Sequence, residues 1–213
     1  MAAETDARWV PIAASADIPD GAVVPARLPT GPIAVWRSAS GGLYANGDRC
    51  PHRGMRLSHG FVRGETLSCI YHGWRFGTDG ACRKIPAHPA VTPPKTINCG
   101  PLPVAEVNGV VWGATVEPAE APAGFDGYTA LRSLVFAAPR EAILREGTGR
   151  EAGDAVAVRL GEQDALLVMS DYGPDEVFVV VLVEAGLGVP ERLAVSNAVE
   201  ALRRRAEAGG DGK

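Results

Sequence analysis

The sequence predicts a mainly β protein that closes on one long helix, and three observations carry that expectation. Glycine (26) and proline (17) are abundant among the 213 residues, which favours many turns between short strands. From Trp9 to Glu117 the apolar residues come in short runs (AVVPARL, IAVWRS, LYANG, TLSCI, PVAEV, VVWGATV), with Gly-Gly, Asn-Gly and Asp-Gly between them. Near the C-terminus Val195, Val199, Leu202 and Ala206 recur at helical spacing and form one apolar stripe.

Each stretch then takes its place. Residues 9–117 read as a domain of hairpins, because turn dipeptides interrupt the β-runs at short intervals. Residues 118–130, PAEAPAGFDGYTA, are rich in Ala, Pro and Gly and read as a linker. Residues 131–208 have longer apolar runs: LRSLVFA, AVAVRL, DALLVM and EVFVVVLV, a second antiparallel sheet. Pro190 suits the start of the closing helix and Gly209-Gly210 its stop, while Arg203, Arg204 and Arg205 complement the negative end of its dipole. Residues 209–213 read as a disordered tail.

The net charge of −4 argues against a nucleic-acid partner. Charge is nevertheless uneven: between residues 45 and 85 lie Arg49, Arg53, Arg56, Arg63, Arg75, Arg83 and Lys84 against Asp48, Glu65 and Asp79. These cations read either as solvated loop residues or as a patch that steers an acidic partner. No apolar run is long enough to span a membrane, and the first twenty residues lack the pattern of a signal peptide, so the expected location is cytoplasmic. In that compartment four cysteines point to metal or redox chemistry before disulfides.

The chemistry concentrates in CPHRGMRLSHGFVRGETLSCIYHGWRF, residues 50–76. Cys50-Pro-His52 and Cys69-Ile-Tyr-His72 are each short enough to present two ligands from one tight loop, and the sixteen residues between them suit a hairpin that sets the loops face to face. Two Cys and two His can hold a structural zinc ion. Zinc patterns, however, pair Cys with Cys and His with His, and this spacing is not that of a zinc finger. The other centre built on two thiolates and two imidazoles is a Rieske [2Fe–2S] cluster, with the thiolates on one iron and the imidazoles on the other.

The segment resembles the N-terminal domain of the Rieske non-haem iron oxygenases, the ring-hydroxylating dioxygenase and demethylase family. The resemblance runs from Trp9-Val10-Pro11 through DRCPHRGMRLSHG, CIYHGWRF, Gly80 and Ile85-Pro86 to Gly109-Val110-Val111-Trp112. It implies one [2Fe–2S] cluster per chain on Cys50, His52, Cys69 and His72. It also implies backbone N–H groups near Gly54 and Gly73 donating to sulfur, Trp74 as a lid on the second loop, and Tyr71 either bonding a cysteine sulfur or facing a partner. The extra cysteine pair of the respiratory Rieske proteins has no counterpart in these loops, which implies a potential toward the bottom of the roughly −150 to +300 mV Rieske range. Cys82 and Cys99 read as packing residues.

In that family a catalytic domain follows, with a second iron on two His and a carboxylate. The sequence has four histidines; His59 and His88 lie within the first domain and none follows His88. Residues 131–208 resemble the end of the family's helix-grip domain, a sheet-and-helix remnant without its iron ligands. The expected function is thus a Rieske oxygenase-type oxidoreductase component. It takes single electrons from a flavin reductase or ferredoxin and passes them to a separate iron-bearing oxygenase subunit, in a homo- or hetero-oligomer. Two alternatives stand beside it: a non-enzymatic carrier or iron–sulfur sensor, and a self-sufficient oxygenase whose iron rests on carboxylates such as Asp154, Asp164 and Asp171.

Overall fold

A computed structural model describes residues 7–209, so the tail expected at its last four residues, 210–213, lies outside the described residues. The chain is mainly β with antiparallel pairing throughout its named strand pairs. It divides into two units, one made of Asp17–Ala105 with Gly113–Glu120, the other of Val10–Ala16, Glu106–Trp112 and the chain from Ala121 onward. Strand β1 (Val10–Ala14) thus groups with the second unit, although its sequence position places it with the first.

The first unit holds two four-stranded sheets. One orders β2 (Val23–Leu28), β3 (Gly31–Arg37), β4 (Leu43–Gly47) and, beside β4, β9 (Pro101–Leu102). The other is a meander of β5 (Phe61–Arg63), β6 (Thr66–Ser68), β7 (Arg75–Phe76) and β8 (Cys82–Lys84). Alternation along each strand sends one set of side chains inward: Ala34, Trp36, Leu57, Leu67, Phe76, Cys82, Ile85 and Cys99 form a core that also takes in Cys50 and Cys69. The Trp36 indole N–H donates to Asn46 Oδ1 at 2.8 Å, which satisfies its one polar atom inside that core.

In the second unit, β10 (Val104–Val107) and β11 (Val110–Gly113) form a hairpin on Asn108-Gly109, both at positive φ (53° and 75°), and β1 joins as the third strand. A five-stranded sheet follows in the order β12 (Tyr128–Phe136), β16 (Glu176–Glu184), β15 (Gln163–Gly173), β14 (Ala155–Leu160) and β13 (Arg150–Ala152). Helix α1 (Arg140–Gly147) and helix α2 (Val189–Ala208) pack on one face of it. The stripe Val195, Val199, Leu202 and Ala206 is wholly buried there. β1 packs against the other face, and Ser170 Oγ donates to the Pro11 carbonyl at 2.8 Å.

Two features were not read from the sequence. Helix α1 is only two turns long, too short for a periodic signal, and its place is set by Ala142 and Ile143 burying against the sheet. The stretch expected as a linker is partly fixed: Asn108 Oδ1 accepts from the Phe125 N–H (2.8 Å), Asn108 Nδ2 donates to the Tyr128 carbonyl (3.1 Å), and β12 already begins at Tyr128. Among the described residues no helix is long and apolar enough to cross a membrane.

Candidate metal centre

Two loops of one design carry the four candidate ligands. The first leaves β4 and spans Cys50–Met55; the second joins β6 to β7 and spans Cys69–Trp74. In the first, the Cys50 N–H donates to the Met55 carbonyl (2.8 Å) and the Gly54 N–H to the Cys50 carbonyl (2.8 Å). In the second, the Cys69 N–H donates to the Trp74 carbonyl (2.9 Å) and the Gly73 N–H to the Cys69 carbonyl (3.0 Å). The same two bonds therefore close both loops, and both need a residue at positive φ in the penultimate place, which Gly54 (72°) and Gly73 (67°) supply.

The N–H groups of the two glycines themselves are used on carbonyls to shape the loops. The N–H groups that face the Cys50 sulfur are those of His52 and Arg53.

The bases of the loops are anchored by a residue the sequence reading passed over. Asp48 is buried, and its carboxylate accepts the Ser58 N–H at 2.7 Å and the Ser58 hydroxyl at 2.8 Å, which pins both ends of the segment holding Cys50 and His52. Two residues on, Gly60 lies so close to the β6 backbone that a Cβ there would stand 2.1 Å from the Ser68 carbonyl oxygen. The signal for Asp48 was present in the sequence as an acid among arginines, but only its burial tells an anchor from a surface charge.

The four side chains divide by burial. Cys50 and Cys69 are buried, whereas His52 is half-buried and His72 exposed. The imidazoles meet edge to face with ring centroids 4.6 Å apart. Burial pushes the Cys50 thiol up to about 11, and the neighbouring Cys69 adds to this against the lowering by the His52 and Arg53 N–H groups. Two adjacent buried thiolates need a cation to be stable. Desolvation, then His72 and Arg53, hold His52 below the ordinary imidazole value, in the direction that favours the neutral ring.

Trp74 lies as a lid on the first loop, where the sequence reading had placed it on the second: its ring stacks on His52 at 4.4 Å and 7°. Tyr71 packs its ring against His72 (4.0 Å, 35°) and is 59% exposed, so of its two candidate positions it takes the outward one. Cys82 and Cys99 are buried free thiols, and burial pushes Cys99 up to about 12, which keeps it protonated. His59 and His88 are exposed, His59 in the turn after Leu57 and His88 beyond Ile85.

A buried thiol pair beside an outward-facing imidazole pair fits a binuclear cluster with sulfur ligands on one iron and nitrogen ligands on the other. Comparison with known proteins decides the class. The sequence profile of the Rieske [2Fe–2S] domain matches residues 8–100.

Residues 8–100 are a Rieske [2Fe–2S] domain.

The chain is 40% identical over 117 residues to the oxidoreductase NdmD of Pseudomonas putida, a match covering 54% of this chain and 20% of NdmD. It is 42% identical over 91 residues to the 4beta-methylsterol monooxygenase of Methylococcus capsulatus (41% of this chain, 24% of that one). It is 34% identical over 106 residues to the oxygenase subunit of 3-chlorobenzoate-3,4-dioxygenase of Comamonas testosteroni (49% and 24%). The chain therefore spans about a fifth to a quarter of these relatives' length. In fold, dicamba monooxygenase bound to dicamba matches with a TM-score of 0.75 at 16% identity, over 96% of this chain and 87% of that one. NdmA of Pseudomonas putida CBB5 matches with 0.68 at 17% identity, over 93% and 79%. The chain thus carries a Rieske domain, and its fold is that of the Rieske oxygenases among these structures.

The carboxylates raised as alternative iron ligands do not converge. Asp164 opposes Arg159 on the neighbouring strand and pairs with it at 3.0 Å, while Asp171 lies seven residues further along β15, about 23 Å at the strand rise and on the other face. Asp154 sits in the exposed β13–β14 turn.

Proposed function

We propose that this chain is an oxygenase-type electron-transfer component, which takes one electron at a time from a flavin reductase or ferredoxin and passes it to an oxygenase subunit carrying its own iron. The observation that carries the reading is the polarity of the site: sulfur ligands inside, imidazole ligands at the surface. Cys50 and Cys69 would hold one iron, with the His52 and Arg53 N–H groups steadying the Cys50 sulfur; His52 and His72 would hold the other. When bound, the cluster supplies one-electron redox chemistry at a potential raised by the two neutral imidazoles. Trp74 covers His52 and keeps water from that ring, whereas His72 stands in the open beside Tyr71. Electron transfer falls steeply with distance, so the exposed imidazole edge is the natural exit.

The reading that the chain lacks an oxygen-activating iron of its own rests on the absence of any histidine after His88 in this sequence and on the dispersal of Asp154, Asp164 and Asp171. Purified protein should be red-brown, hold about two irons per chain, and give the reduced-state EPR signal of mixed Cys and His ligation. With reductase and reduced cofactor it should cycle its cluster without oxidising an organic substrate, and should support turnover once an iron-bearing oxygenase subunit is added. Substrate oxidation by the chain alone, with a third iron, would overturn the reading.

A further inference from the structure

The β5–β8 meander presents two rows of side chains on opposite faces. Val62, Leu67, Phe76 and Cys82 point to the core; Phe61, Ser68, Arg75 and Lys84, each opposite the next across the strands, form the row on the other face, in which Ser68 is buried, Arg75 half-buried, and Phe61 and Lys84 exposed. Arg63, opposite Thr66, joins that second face. A bulge sets its composition. The register slips between Arg75 and Phe76, so that Arg83 is skipped and Lys84, not Arg83, stands directly opposite Arg75.

Two like charges directly opposed across strands work against the sheet, and a third cation stands two strands away. Nothing nearby relieves them. Of the three acids in this region, Asp48 is taken by Ser58, Glu65 by the Ser40 N–H and hydroxyl, and Asp79 by Arg83 at 2.6 Å. Among the described residues no ion pair reaches Arg63, Arg75 or Lys84. At strand spacing the three charges fall within roughly 15 Å, in a protein whose net charge is −4. The face also holds an exposed aromatic: Phe61 is 39% accessible, with the Arg63 guanidinium 5.0 Å from its ring centroid. An aromatic flanked by uncompensated cations is the composition of a protein-binding hot spot. A local rule broken without compensation within the chain points to a compensating group outside it.

We propose that the Phe61, Arg63, Arg75 and Lys84 face of this meander is the docking surface for an acidic electron-donor protein. The proposal rests on the electron-transfer reading above and names where the donor binds. Position favours a redox partner, because Arg75 directly follows Trp74, whose indole lies on His52. Size favours a protein over a nucleic acid: three cations and one aromatic neutralise a compact acidic patch but do not follow a phosphate backbone.

The test is stopped-flow reduction of the holoprotein's cluster by a pre-reduced small acidic [2Fe–2S] ferredoxin, across a range of ionic strength, with dithionite as the protein-free reductant. The variant Arg75→Glu/Lys84→Glu should lower the second-order rate on the order of tenfold at low salt and flatten its salt dependence. Arg75→Lys/Lys84→Arg should keep the wild-type rate, and Arg27→Glu, on exposed β2, should leave it within about twofold. Dithionite reduction and the EPR signal should be the same in all four proteins. Arg63→Glu/Lys84→Glu, which spares the residue beside Trp74, should reproduce the loss if the first variant disturbs the cluster. Wild-type reduction by the ferredoxin with an undiminished rate in both reversal variants would overturn the surface alone, as would an equal loss in Arg27→Glu. Reduction of the wild type by dithionite but by no protein donor would instead overturn the electron-transfer reading, and this surface with it.

Discussion

The loops Cys50–Met55 and Cys69–Trp74 share one hydrogen-bonded frame and differ in where the imidazole leaves it. The first places His two residues after Cys, the second three. That single step gives the two histidines different surroundings: His52 lies half-buried beneath Trp74, and His72 stands exposed beside Tyr71. The frame is general and the offset is specific. A symmetric scaffold thereby yields an asymmetric centre, closed on one side and open on the other.

The comparison can be broken or sharpened by mutation. The largest effect is expected from His52→Ala and His72→Ala, each of which removes a ligand that the frame cannot replace; both should lose colour, iron and the reduced EPR signal. Gly60→Ala comes next. Its Cβ would need to displace the Ser68 carbonyl ahead of the second loop, an overpacking that costs about 1–3 kcal/mol or more and should appear as a lowered Tm together with poor cluster loading. Asp48→Ala strips the first loop of its anchor and leaves the buried Ser58 N–H without a partner, at about 1–3 kcal/mol. Urea titration of the holoprotein should show the loss, and Asp48→Asn, which keeps one acceptor, should recover part of it.

The glycines give the smallest and most direct test of equivalence. Gly54→Ala and Gly73→Ala both force a left-handed backbone on alanine, about 1–2 kcal/mol each. Gly73→Ala should cost more, because its Cβ would also press on Pro86 at 3.1 Å, whereas at Gly54 the nearest atom is the end of the Arg49 side chain at 3.6 Å. Equal losses in Tm would show that the packing over the second loop yields freely.

Much of this centre was legible in the sequence because its signals are local. Cys50, His52, Cys69 and His72 declare themselves by spacing. The stripe on α2 was equally plain, since twenty residues of helix repeat it several times. What escaped was whatever depends on distant neighbours. Asp48 becomes an anchor only when Ser58 arrives; Trp74 covers the other loop's histidine; α1 is too short to show a period. Asn108 read as half of a turn, and its second use, holding Phe125 and Tyr128, is a matter of which residues fold back onto it. The charged row on β5–β8 was visible as composition, but the bulge that sets Lys84 against Arg75 was not.

The grouping of β1 has a consequence for synthesis. Its strand partner in the three-stranded sheet, β11, emerges from the ribosome about 100 residues later, and the β15 and β16 surfaces that cover it later still. For most of translation Val10, Ile12 and Ala14 have no native surface to bury against, while β4 and the β5–β8 meander, which hold the first and second cluster loops, already have all their strands. Loop-closure entropy makes so distant a pairing slow. The cluster loops can therefore be formed before the chain that precedes them has found its place, and a nascent chain of which only the first 105 or so residues have emerged should expose its first strand to chaperones and proteases while its cluster loops are already formed.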